Sequence, residues 1–515
     1  MQLLAFLPIL LSLVLLVVFK VSSLRTAVVG YLLTVSIALI PSPFHTSYGS
    51  LESASLKGVF VSLIVIYVLV FGLLLYNLLK AGGAIQAISH LFTRYTTSPV
   101  EQALLISTAL GPFLEATSGF GIGIVIAAPL YLELGFESNQ VALLSLLTQS
   151  AVPWGALAVG TVLNAELSLV SLHALGIWSA LLSIPLFLFY TVAVVVIAGG
   201  VKAVRGHLVS ILTSWGLLSF FTWFANAFLS TQVAGVVAGL IAAFGLLLFW
   251  QVLHRVQAKA GIGQTAAAVD PVQSHSLSKR SLSNDTLSGR TIFKSLLPYG
   301  VLLAFLFASN WIPPFREWLQ EFLVIRVSSF QYQLDLLYNP GFALLLASVV
   351  AVFTYRLHRE QLGASLLATA KQVYPAALST MGFVAMSTVM QQAGMIHVIA
   401  QNAAMLFGTA FIAISPLIGG LGGFITGSNS AANAMLAPFQ SAMSHKLHTS
   451  TLVYATAQNV SASNMTMASP SRVALAAAIS GQSGREGDLT RRILPLSLTV
   501  LLVVTVCSIL MQRFV

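Results

Sequence analysis

The chain has 515 residues, 57% of them hydrophobic and only 7% charged, and its mean hydropathy is +0.91. A soluble domain carries about 25% charged residues, so this composition excludes a soluble enzyme, a nucleic-acid binder and a secreted module, and predicts an all-α polytopic membrane protein. The net charge of +10 reflects Lys and Arg held in cytoplasmic loops rather than a polyanionic partner. The lone Cys507 leaves neither a disulfide framework nor a metal set, and no cofactor is expected.

Crossing about 30 Å of hydrocarbon takes roughly 17–25 apolar residues. Spans are expected near 3–19, 24–40, 58–79, 140–163, 173–198, 207–229, 231–253, 293–309, 337–355, 374–390, 449–480 and 493–511. No basic segment precedes the first run, and Lys20 and Arg25 follow it, so it reads as a retained span with an outside N-terminus. The stretches 99–134 and 410–441 are apolar but interrupted by Gly, Pro and polar residues, and each reads as a re-entrant hairpin. With those two hairpins and 12 spans, most of the 24 Lys and Arg residues fall in cytoplasmic loops. These are the loops holding Lys20/Arg25, Lys80/Arg94, Lys202/Arg205, Arg255 to Lys294, Arg356/Arg359/Lys371 and Arg485/Arg491/Arg492.

The expected organisation is N-terminal helices (1–57), a first repeat (58–198, hairpin 99–134) and connecting helices (199–253). A Ser-rich cytoplasmic linker (254–292), further connecting helices (293–373) and a second repeat (374–515, hairpin 410–441) follow. The repeat rests on landmarks in one order: Ala81-Gly82, Ile85, Phe113, Pro129 and Gln149, then Ala393-Gly394, Ile396, Phe424, Pro438 and Gln458. The Ile-to-Phe separations are equal, and so are the Pro-to-Gln separations. Topology makes the copies inverted, and inverted repeats with interrupted helices are a signature of secondary transporters, whose site lies between the repeats.

The first tip, Gly111 to Gly123, holds Glu115, Thr117 and Ser118 among glycines that release backbone N–H groups. A lone carboxylate at membrane depth costs about 2.5–3.5 kcal/mol on insertion scales, so Glu115 is the candidate proton carrier, with a structural carboxyl as the alternative. The second tip offers Ser428, Asn429, Ser430 and Asn433 in a stretch, 372–445, without Asp, Glu, Lys or Arg. Helices starting just past the tips would aim positive dipole ends at an anion; helix capping by the same residues is the alternative. Two further polar interruptions are expected inside spans, at Thr148–Gly155 with Gln149 and at Gln458–Asn464 with Asn459 and Asn464. Arg472 suits a bidentate grip on a carboxylate, or pairing with Glu115.

Several of these motifs resemble the L-lactate permease family: Gly111-Pro-Phe-Leu-Glu115 with Gly119-Phe-Gly121, Gly423-Phe-Ile-Thr-Gly-Ser428, Asn459 followed by Ser469-Pro470, and the tail from Gly481 to Leu489. The resemblance runs in order from about residue 60 to the end. It implies uptake of L-lactate, often also D-lactate and glycolate, by proton symport across a bacterial inner membrane, with an elevator motion of the hairpins against a scaffold. The chain departs from the family pattern at Asn429, where an acid is usual, near Thr466, where a Lys is usual, and at Thr117 and Ser118, where small residues are usual. The expected partners are a small carboxylate, protons and the bilayer, with no nucleic acid and with room for a homodimer. A sodium-coupled carrier of another small organic anion, such as a dicarboxylate, is the alternative. A membrane enzyme is not expected, because no HExxH, Cys/His set or paired carboxylates occur.

Overall fold

The computed structural model describes residues 2–19, 21–85, 87, 98–119, 121–259, 289–328 and 332–515. Lys20, Arg94, Phe120 and most of the expected linker 254–292 lie outside them. The described chain is almost entirely helical. Among the described residues, nine helices are long and apolar enough to cross a membrane, counted across local breaks. Shorter apolar helices occur at Leu3–Leu16, Ser23–Leu39, Ile122–Glu133 and Pro340–Tyr355. Large apolar side chains such as Phe220, Leu248, Phe353 and Leu502 stand exposed on the outside, as a lipid-facing surface requires.

Helices α1 (Gln2–Val17), α2 (Ser23–Leu39) and α3 (Tyr48–Ala81) open the chain. The span expected at 58–79 begins ten residues earlier, because Ser47 caps α3 by accepting from the Ser50 N–H at 3.3 Å. The first hairpin is α4 (Pro99–Leu105), a π-helical turn over Ile106–Leu110, α5 (Gly111–Ser118) and α6 (Ile122–Glu133). A broken helix follows: α7 (Ser138–Leu147), a 3-10 segment Thr148–Trp154 and α8 (Gly155–Ser168). Helices α9 (Leu172–Gly199), α10 (Leu208–Phe228) and α11 (Ala234–Lys259) complete the first part. Helix α11 carries the expected span six residues past 253, into the segment read as linker.

The second part opens with α12 (Gly289–Trp311) and α13 (Pro313–Glu321). Strands β1 (Val324–Val327) and β2 (Tyr332–Asp335) then pair antiparallel, with Val324 opposite Asp335. After α14 (Pro340–Tyr355) comes α15 (Arg359–Gln392), which like α3 is 34 residues long. Next are α16 (Met395–Phe407), the second hairpin of α17 (Phe411–Thr426) and α18 (Asn429–Lys446), a broken helix of α19 (Thr451–Met465) and α20 (Pro470–Ile479), and α21 (Glu486–Met511).

A long helix, a hairpin, a broken helix and a long crossing thus occur twice in the same order. At 1.5 Å per residue, α3 and α15 each extend about 51 Å, well beyond the hydrocarbon thickness. The two pack against each other. Basic ends gather on one face: the Tyr355 hydroxyl donates to the Lys294 carbonyl at 3.0 Å, and the Tyr355 ring closes over Gly82, next to Lys80.

One expected interruption is elsewhere. Residues 458–464 lie within the continuous α19, and the break falls at Thr466–Ser469. There Ser469 accepts from the Arg472 N–H at 3.4 Å and Pro470 occupies the first helical position. Amides satisfied by neighbouring helices do not disturb the helix that carries them; a Ser-Pro start does.

Candidate functional site

Both hairpin tips converge on the start of α20. In the first, Gly119 and Gly121 adopt φ of +69° and +82°, conformations that glycine takes without strain. A side chain at 121 would collide with the Arg472 guanidinium, since a Cβ there would sit 1.9 Å from one of its terminal nitrogens. In the second tip, Gly427 at φ +62° ends α17, and Ser428 caps α18 by accepting from the Ala431 N–H at 3.3 Å. A Cβ at 427 would meet the Ser471 hydroxyl at 2.4 Å and the Ser469 hydroxyl at 2.9 Å. The segment Ser469–Arg472 is therefore wedged between the tips.

A cavity of about 530 Å³ opens beside this wedge. Its polar lining comes from Thr426, Ser428 and Ser430 of the second tip, Ser471 and Arg472 of α20, and Gln372, Ser379 and Thr380 of α15. Val65 and Leu69 of α3, Val159 of α8 and the Ser22–Leu24 turn complete it. The cavity thus occupies the seam between the long helices α3 and α15 and the hairpin elements, and it reaches the face that carries the basic loops. Arg472 is buried at 9% exposure, and its guanidinium makes no ion pair or hydrogen bond among the described residues. A buried cation without an acceptor, facing a polar cavity, is arranged to receive an anion.

Glu115 lies behind the first tip, fully buried. Its carboxylate accepts from the Gly121 N–H at 3.2 Å, the Gly123 N–H at 3.4 Å and the Gln149 side-chain amide at 3.1 Å. The first two donors belong to the N-terminal end of α6, where backbone N–H groups lack helical partners. Arg472 is within electrostatic reach of Glu115, yet the two form no direct ion pair. The buried Gln149 Oε1 has no partner among the described residues, so this amide has spare capacity beside the carboxylate. The chain next to Glu115 is unusual: Ala156, Leu157 and Ala158 are all left-handed, at about 1–2 kcal/mol per residue. Ala156 packs directly against Gly119.

The remaining predicted residues lie off the cavity. Thr117 and Ser118 both donate to the Leu114 carbonyl, at 2.9 and 2.8 Å, and close the end of α5. Asn429, Asn433 and Asn459 bond to one another: Asn433 donates to Asn429 and to Asn459, and Asn429 donates to Asn459, each at 3.1 Å. Asn433 also donates to the Gly160 carbonyl at 3.0 Å, and Asn459 to Thr161 at 3.0 Å and Ser179 at 3.1 Å. This network ties the first broken helix to the second hairpin. Asn464 accepts from the Tyr190 hydroxyl at 2.7 Å, apart from both tips. Sequence reasoning missed the wall contributed by Gln372, Ser379 and Thr380; its one signal was a hydroxyl pair in an otherwise apolar run.

Comparison with known proteins bears on this arrangement. The fold is similar to that of MtrF from Neisseria gonorrhoeae, described as illuminating a class of antimetabolite efflux pumps, with a TM-score of 0.51 and 14% identity over 96% of this chain and 94% of that one. In sequence, the chain is 26% identical to an L-lactate permease of Halalkalibacterium halodurans, over 99% of this chain and 96% of that protein. It is 25% identical to an L-lactate permease of Bacillus subtilis (95% and 91% covered) and 24% identical to a glycolate permease of Escherichia coli (99% and 95%). The family model for L-lactate permease matches residues 1–334 and 325–515, and the chain belongs to that family.

Proposed function

We propose that this protein is a secondary transporter that takes up L-lactate, and with it D-lactate and glycolate, by proton symport across a bacterial inner membrane. The observation that carries the reading is the Arg472 guanidinium, buried, without an acceptor among the described residues and lining the cavity. A planar guanidinium grips a carboxylate through two parallel N–H···O bonds. Ser428, Ser430 and Ser471 stand beside it as partners for the 2-hydroxyl group.

Coupling follows from the relation between Arg472 and Glu115. With the cavity empty, Arg472 and the N-terminal end of α6 stabilise the Glu115 carboxylate. A bound anion neutralises Arg472, and Glu115 then takes up a proton more readily. By linkage, protonated Glu115 raises the affinity of Arg472 for the anion equally. Gln149 serves both states: its amide donates to the carboxylate, and after rotation its Oε1, without a partner among the described residues, accepts from the protonated acid. The hairpins with α20 would carry the site, moving against α3 and α15.

The test is uptake by purified protein in liposomes. An inward proton gradient without sodium should drive L-lactate accumulation, and competition should rank glycolate above succinate. Accumulation that appears only when sodium is added would replace the proton reading with sodium coupling.

A further inference from the structure

We infer a second anion site at the far end of α18, where a histidine-lined pocket receives the substrate carboxylate before it reaches Arg472. The inference rests on the transport function proposed above. A cavity of about 540 Å³ lies between the ends of α8, α15, α16 and α18. Four basic side chains line it: His397 of α16, His445 and Lys446 of α18, and His448 of the following turn. Gln391 and Ser441 are its neutral polar members, and Leu167, Ile396 and Ala442 are among the apolar ones.

Helix α18 begins at the inner cavity, which Ser430 lines, and ends at this pocket, which Lys446 lines. Sixteen helical residues separate the two by about 24 Å. The pocket is therefore on the membrane face opposite the one where the Ser22–Leu24 turn lies, and the basic-loop rule makes that face external.

No acid lines the pocket. The chain contains no Asp or Glu from Gln361 to Arg485, so α16, α18 and most of α15 supply none. The one acid near by in sequence, Glu166 of α8, lines a separate cavity with Asp335. His445 and Lys446 occupy the last turn of α18, whose dipole favours cations. His397, His445 and His448 are exposed, so solvent protons reach them. Imidazoles gain charge as pH falls toward 6. Outside acidity, the condition that drives a proton symporter, would thus also charge the pocket that collects its anion.

The test uses the whole protein in phosphatidylcholine liposomes. The KM for L-lactate uptake is measured at external pH 5.5 and 7.5 in the unaltered protein and in two triple variants, His397→Gln/His445→Gln/His448→Gln and His397→Lys/His445→Lys/His448→Lys. At pH 5.5 the glutamine variant should show a KM raised about fivefold or more, a steering effect. At pH 7.5 it should match the unaltered protein. The lysine variant should keep a low KM at both values, which a protein damaged by substitution would not do. Equal KM values across all three proteins, in liposomes where uptake is robust, would overturn the pocket and leave the transport reading standing. A KM effect that appears only when phosphatidylglycerol is added would assign the pocket to a lipid headgroup and overturn the substrate role. Absence of uptake by the unaltered protein would remove the reading on which the pocket depends, and the pocket with it.

Discussion

Arg472 and Glu115 are the two ionisable side chains buried at the tips, and they differ in how they are satisfied. Among the described residues Glu115 has three donors and the Arg472 guanidinium has no acceptor, so Arg472 is the group free to bind an anion. Loss of a charge-assisted hydrogen-bond pair costs about 1.5–3 kcal/mol, so Arg472→Ala should weaken L-lactate binding about 10- to 100-fold at 1.4 kcal/mol per decade. Arg472→Lys should recover only part of that loss if the fork geometry matters; full recovery in equilibrium binding would mean that a point charge suffices. Glu115→Gln should abolish uphill accumulation and preserve exchange of internal for external lactate. Unchanged accumulation would remove Glu115 from the coupling. Both residues could be picked out from sequence because charge at membrane depth is rare. The partners of Glu115 could not, since its backbone donors carry no side-chain signature.

The helix breaks at the level of elements were legible where glycine or proline causes them. Gly119 and Gly427 end helices as expected, and Thr148–Trp154 is interrupted as expected. The break after α19 was displaced, because the polar run Gln458–Asn464 looked like a disruption and is instead the inner face of a helix bonding to its neighbours. Glycine also sets how closely these elements approach. A Cβ at Gly423 of α17 would sit 1.8 Å from the Ala462 carbonyl oxygen of α19, the small-residue packing common between membrane helices. Gly423→Ala should lower the thermal unfolding midpoint in detergent by several degrees. Gly487→Ala, which meets open space, should leave it unchanged. Equal midpoints for the two variants would mean that α17 and α19 separate without cost.

For the molecule as a whole, the order of hairpin, broken helix and long crossing could be read twice from repeated landmarks. The cavity could not, because it forms where α3, α15 and the tips meet, and no local pattern encodes that seam. The β1–β2 pair was also unforeseen: each strand is four residues long, too short for an alternation signal. The amides of Asn429, Asn433 and Asn459, candidate substrate contacts by sequence, also join the first broken helix to the second hairpin.

The pocket lined by the second tip, Arg472 and α15, with Gly121 of the first tip packed against Arg472, is the proposed seat of a small carboxylate. Its most direct measurement is maleimide labelling of the Ser430→Cys variant in sealed vesicles, with and without L-lactate. Modification should come from the face bearing the basic loops, slowed in a saturable way by L-lactate, with that protection lost when Arg472→Ala is added. Labelling that L-lactate leaves unaffected at saturating concentration would contradict it.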